Sequence, residues 1–257
     1  HIRYLLEKGA MYRVCNGNLL YHGCIPMEPD GSFTRVTMGD KTYFGKSLMD
    51  ACDRLCRTAM YDRRMENTDL LWYLWCGPYS PLNGKDKIAT FERTFLDDPE
   101  ARTEQKNPYY DLWNSGETAR TILTEFGVDF ERGHIINGHV PVRKTKGDTP
   151  IKANGKFINI DGGLSKAYQP VTGICGYTLV YSSHELYLAE HQPFDPDTAA
   201  RESADVLSRT IMIEQYPDRL RVRDTDGGAD VERRIADLKK LLAAYRSGLV
   251  RTPSRME

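Results

Sequence analysis

Two histidines stand at the ends of apolar runs and are bounded by glycine: His22 in NLLYHGCIP and His139 in HIINGHVPV. A neutral imidazole binds divalent first-row metals through a ring nitrogen, and a neighbouring glycine lets the backbone approach a ligand closely. Metal coordination is the chemistry such a pair offers. Taken singly, each is better explained as a hydrogen-bonded structural histidine, so the weight rests on the combination.

Anion binding is the second chemistry on offer. The stretch RKTKGDTPIK carries Arg143, Lys144, Lys146 and Lys152, and DGGLSKAY carries Ser165, Lys166 and a Gly-Gly turn whose N–H groups can form a nest. A solvated loop accounts just as well for the lysines of the first stretch. Lys85, Lys87 and Arg93 in NGKDKIATFER are further cations or the exposed face of a helix.

Other candidates reduce to plainer readings. Cys24 shares a strand face with His22, but no acid partner or oxyanion hole accompanies a Cys-His nucleophile pair. His134, His184 and His191 read as capping or hydrogen-bonded residues. Trp72, Tyr73 and Trp75 read as core, because a base-stacking platform would adjoin a basic groove. Asp224 to Gly228 lacks the glutamate that closes an EF-hand loop and reads as a turn opening the last helix.

The elements that must position these residues follow from periodicity. IRYLLEKG reads as the end of a helix closed by Gly9, with no N-cap before it, so the expectation is that residue 1 lies inside a larger polypeptide. Met11 to Pro26 reads as one buried strand ending in a loop, and residues 29 to 45 as a hairpin or excursion. Helical spacing runs over 47–61, 69–75, 85–95 and 116–126. Short strands follow from His134 (HIIN, KFINI, GYTLVYSS, ELYLAEHQP), then a helix over 197–207, a TIMIEQYP segment, and a closing helix with Ile235, Leu238, Leu241, Leu242 and Tyr245 on one stripe. The pattern predicts an α/β two-sheet sandwich with helices outside.

Composition narrows the function classes. Lys plus Arg number 35 and Asp plus Glu 36, a net charge of −1, which argues against a chain that coats nucleic acid by charge alone. Apolar runs such as 70–76 fall far short of the ~18 residues that span a bilayer, which favours no membrane association. Six scattered cysteines without a CxxC pair favour free thiols in a cytoplasmic setting.

The order strand-HG-x-I-P, LLWYLWCGP, strand-GHVP is similar to metal-ligand and LLW-type motifs of calcineurin-like metallophosphoesterases. A longer set of segments covers nearly the whole chain: NLLYHGCIP, DKTYFGKSLMD, LWYLWCGPYSPLNGKDKIATFER, HIINGHVPV, PIKANGKFINIDGGLSKAYQPVTGICGYTLVYSS and DLKKLLAAYRSGL. These resemble the C-terminal portion of class III bacterial fructose-1,6-bisphosphatases. The resemblance implies the C-terminal part of a metallophosphoesterase sandwich over 1–192, with a helical insertion at about 46–126, and a strand-helix extension over 193–257. It implies hydrolysis of fructose 1,6-bisphosphate in gluconeogenesis, with His22 and His139 as ligands in a dinuclear manganese site.

Substrate contacts then fall to Arg143, Lys152, Ser165 and Lys166, the last because that loop returns beside the metals in the superfamily. The family's Asp-x-His, GDxxDRG and GNHD or GNHE elements are not found in residues 1–257, so the catalytic His and bridging Asp are unassigned. The chain alone is expected to be inactive, completed by the N-terminal half of the same polypeptide, with a homo-oligomer also open. A phosphoprotein or dinucleotide phosphatase on the same scaffold, and a non-catalytic sugar-phosphate-binding or assembly module, are the alternatives.

Overall fold

A computed structural model describes residues 1–163, 165–173, 176–192 and 208–250. The expected helix at 197–207 lies outside the described residues. Helix α1 (Ile2–Lys8) leads into strands β1 (Tyr12–Cys15) and β2 (Asn18–Tyr21), then β3 (Val36–Met38) and β4 (Lys41–Tyr43). The helical section comprises α2 (Gly45–Tyr61), α3 (Met65–Cys76), α4 (Thr90–Phe95), α5 (Pro99–Arg102) and α6 (Gly116–Glu125). Strands β5 (Ile135–Asn137), β6 (Ile151–Lys152) and β7 (Phe157–Asn159) follow, then α7 (Gln169–Thr172), β8 (Gly176–Tyr181), β9 (Glu185–His191), β10 (Ser208–Gln215) and α8 (Asp226–Arg246).

Five strands form one mixed sheet in the order β1-β2-β5-β7-β6, with β2, β5 and β7 parallel to one another. The alternation of a strand sends neighbouring side chains to opposite faces, and here both faces are covered. Leu19, Tyr21, Ile135 and Phe157 enter one core with Met49 of α2, Ala119, Ile122 and Leu123 of α6, and Tyr109 and Trp113 of the connecting loop. Ile136 and Ile158 enter a second core with Tyr177, Leu186 and Leu188 of the antiparallel sheet β8-β9-β10. The fold is α/β: helices, a five-stranded sheet and a three-stranded sheet in layers.

Three expectations need correction. The segment 11–26 is a hairpin rather than one strand, because Asn16 (φ 48) and Gly17 (φ 76) adopt the two left-handed conformations of a tight turn. The helix expected from Lys85 begins at Thr90, since Lys85 instead forms an isolated antiparallel bridge with Lys106. Trp72 and Trp75 are 64% and 66% exposed, because α3 buries only Leu74 fully.

Candidate functional site

Parallel strands deliver their C-terminal ends to one sheet edge, and such edges hold ligands in open α/β sheets. Strand β2 ends at Tyr21 and hands on to His22; β5 ends at Asn137 and hands on to Gly138 and His139; β7 ends at Asn159, just before Asp161. Backbone bonds lock the three exits together: Gly138 N–H donates to the His22 carbonyl (3.0 Å), Ile160 N–H to Asn137 (2.9 Å) and Val142 N–H to Asp161 (2.8 Å). Residues more than a hundred positions apart in sequence are thereby brought side by side.

His139 Nδ1 lies 3.2 Å from His22 Nε2, with the rings at 80°. The other nitrogen of His139, Nε2, is 2.9 Å from the Asn83 carbonyl, which can only accept. That carbonyl fixes the tautomer: Nε2 carries the proton and the Nδ1 lone pair faces His22. Burial pushes the His139 pKa down, and the charges of His22 and Lys85 push the same way, against the Asn83 hydrogen bond and Asp161. The ring is therefore held neutral, the form that binds metal. His139 also has φ 66, a left-handed conformation uncommon outside glycine and found where a site over-determines the backbone.

The Asn83 carbonyl is itself positioned by close packing of the 77–84 loop on the turn after β2. A Cβ at Gly23 would lie 2.1 Å from the Pro81 carbonyl oxygen, so only glycine permits the contact. Cys24 N–H donates to that same carbonyl (2.9 Å), and buried Ser80 receives the amides of Leu82 and Asn83 on its hydroxyl. Beside the histidine pair is a cleft of about 440 Å³ walled by Leu71, Leu74, Trp75 and Leu82.

Two nitrogens 3.2 Å apart have the separation of neighbouring ligands on one ion, since bonds of about 2.1 Å would subtend about 100°. The pair has the spacing of two ligands on one divalent ion and supplies only those two. Among the described residues, no group of three or more His, Cys, Asp or Glu is placed to hold one.

The family model for Firmicute fructose-1,6-bisphosphatase matches residues 1–247. The chain belongs to this family. It is 50% identical over 257 residues to the class 3 fructose-1,6-bisphosphatase of Clostridium botulinum (strain Loch Maree), covering 98% of this chain and 38% of that protein. It is 47% identical over 261 residues to the class 3 enzyme of Clostridium beijerinckii, covering 100% of this chain and 39% of that protein. The chain thus spans somewhat over a third of the length of these fructose-1,6-bisphosphatase relatives. No solved structure matches it.

The cations singled out in this fructose-1,6-bisphosphatase family member are distributed unevenly. Arg143 is exposed four residues beyond His139, while Lys152 Nζ is 2.6 Å from Asp148 Oδ1 and 5.9 Å from the Trp113 ring. Ser165 and Lys166 are exposed in the loop after β7. Lys144 is taken up by the buried carboxylate of Glu190. Cys24 is buried with its thiol pushed up to about 12, which rules out a thiolate nucleophile at neutral pH.

Lys106, Asn83 and Asp161 escaped the sequence reading. The Lys85–Lys106 bridge sets two cations directly opposite, an unfavourable pairing in a strand pair. Lys85 is relieved by Glu104 at 2.7 Å, whereas Lys106 has no ion-pair partner among the described residues and rests 5.7 Å from the Tyr110 ring. Desolvation pushes the Lys106 pKa down, and Arg143 and Lys85 add to it. Asp161 carried a signal, since it follows the third parallel strand; Lys106 and Asn83 carried none.

Proposed function

We propose that this chain forms one wall of a cytoplasmic phosphomonoesterase site that hydrolyses fructose 1,6-bisphosphate to fructose 6-phosphate and phosphate, the gluconeogenic step. The reading is carried by the convergence of His22 and His139 within a chain of this family. Divalent manganese, when bound, supplies Lewis-acid polarisation of the phosphoryl group and a water nucleophile at neutral pH. His22 and His139 are the residues that would hold it, with the remaining donors of a dinuclear site supplied from outside residues 1–257.

The chain's own contribution is positioning and charge. Asn83 holds His139 in the tautomer and orientation that a ligand needs. Leu71, Leu74, Trp75 and Leu82 give the cleft one apolar side. Arg143, Lys85 and Lys106 offset phosphate charge, with Lys152 of β6 and Ser165 and Lys166 of the loop after β7 as further contacts.

Manganese titrated into the chain tests the assignment through paramagnetic broadening of imidazole resonances. His22 and His139 should broaden first, and His22→Ala should remove the effect at His139. Broadening centred on His184 or His191 would contradict the reading.

A further inference from the structure

The two rings of the candidate site are not held alike. His139 has its outer nitrogen on the Asn83 carbonyl, which leaves the Nδ1 lone pair facing His22. The 3.2 Å contact between the rings is then a hydrogen bond only when His22 Nε2 carries the proton. Ligation through Nε2 requires the opposite tautomer, with the proton on Nδ1. In that tautomer His22 Nδ1 needs an acceptor, and it has no hydrogen-bond partner among the described residues.

The surroundings of Gly138 supply one. Gly138 is not among the glycines with a left-handed backbone, so its missing side chain serves space rather than conformation. A Cβ there would lie 3.7 Å from His22 Nδ1 and 3.7 Å from Asp161 Cβ, so the ring nitrogen and the aspartate border one notch. Asp161 is fixed at its edge: its amide donates to Asn159 Oδ1 (3.0 Å), its carbonyl accepts from the Val142 amide (2.8 Å), and its Oδ1 accepts from the Gly163 amide (3.0 Å). The second carboxylate oxygen has no hydrogen-bond or ion-pair partner among the described residues. The charge of Asp161 reaches the His139 ring as well. Asp161 does not join the histidines as a third ligand, since no such group of three is placed to hold an ion among the described residues.

We propose that Asp161 is the positioning residue of His22: across the Gly138 notch, directly or through one bridging water, its free carboxylate oxygen accepts the Nδ1 proton and leaves the Nε2 lone pair to face the same point as His139 Nδ1. The inference rests on the reading of His22 and His139 as metal ligands. On ligation the Nε2 proton goes to solvent and Nδ1 takes one up, so the ring stays neutral and its proton rests against a carboxylate. Each histidine then has an acceptor behind it, a carbonyl for His139 and a carboxylate for His22.

The test is titration of zinc, a diamagnetic ion, into the 257-residue chain, followed by nitrogen-15 NMR of the imidazoles and by calorimetry. Without zinc, His22 is expected as the Nε2–H tautomer; with zinc, as the Nδ1–H tautomer. Asp161→Asn keeps an oxygen for the Gly163 amide but turns an NH₂ group towards Nδ1, a donor against a donor, and should weaken zinc binding at least about tenfold. Gly138→Ala, whose methyl meets both neighbours at ordinary contact distance, should weaken it as well by filling the notch. Full zinc affinity in either variant overturns this inference and leaves the ligand reading standing. A His22 that stays Nε2–H with zinc bound overturns it in the same way, and zinc that moves neither histidine's resonances overturns both.

Discussion

The amide of Gly138 donates to the carbonyl of His22 over 3.0 Å, and this bond joins the exits of two parallel strands that carry the two candidate ligands. The bond fixes the two strand exits against each other, and the 77–84 loop then orients the His139 ring through the Asn83 carbonyl.

The 77–84 loop is the support for His139, so disturbing its contact with Gly23 should be felt at the site. Gly23→Ala places a methyl 2.1 Å from the Pro81 carbonyl, and backbone has to shift. A stability loss of about 2–3 kcal/mol in urea titration is expected, with weaker manganese broadening at His139. Wild-type stability with unchanged broadening would show that the loop does not hold the ring.

The ion pair between buried Glu190 and exposed Lys144 gives a prediction away from the site. Glu190 is almost fully buried on β9, with Lys144 and Gln192 as its partners. Lys144→Met leaves a buried carboxylate without its cation and should cost about 3 kcal/mol. Adding Glu190→Gln should recover part of that loss in the same urea titration, and an additive result would contradict the pairing.

The fold was legible where periodicity is long and illegible where tertiary contacts decide. The strands carrying His22 and His139 were readable because apolar residues run up to a glycine-bounded histidine on both sheet faces. Asn83 was not, since its contribution is a backbone carbonyl aimed by a loop packing on Gly23, which no side-chain pattern encodes. Trp72 and Trp75 read as core because hydrophobicity alone does not say which face of α3 meets the body. Asn16-Gly17 carried the hairpin signature in the sequence, but the apolar run after it dominated the reading.

His134 makes stability depend on pH. Burial holds its pKa down at about 4, with the charge of Lys156 adding to the effect; its Nδ1 lies 2.9 Å from Asn18, and Glu214, at 3.7 Å and partly exposed, does not offset the burial. The unfolded chain binds the proton near pH 6.5, so the neutral ring's contribution is full above 6.5 and is lost as pH falls towards 4. The loss should approach about 3 kcal/mol. Urea midpoints between pH 7 and 4 should fall less steeply in His134→Gln; an identical slope would contradict this account.

Lys106 predicts a selective effect on ligand binding. It makes no ion pair among the described residues, so Lys106→Met should leave the thermal midpoint within about 2 °C while weakening fructose 1,6-bisphosphate binding about tenfold by calorimetry, the worth of one charge-assisted contact. Unchanged affinity would remove Lys106 from the proposed phosphate set.

The central claim is that His22 and His139 act together in phosphate ester hydrolysis. The most direct measurement is manganese-dependent release of phosphate from fructose 1,6-bisphosphate by the gene product purified from its native cell, with its intact mass taken on the same sample. The account predicts turnover in a species well above 29.3 kDa, and its loss by a factor of at least about 100 in both His22→Ala and His139→Ala. Turnover that survives either substitution would contradict it.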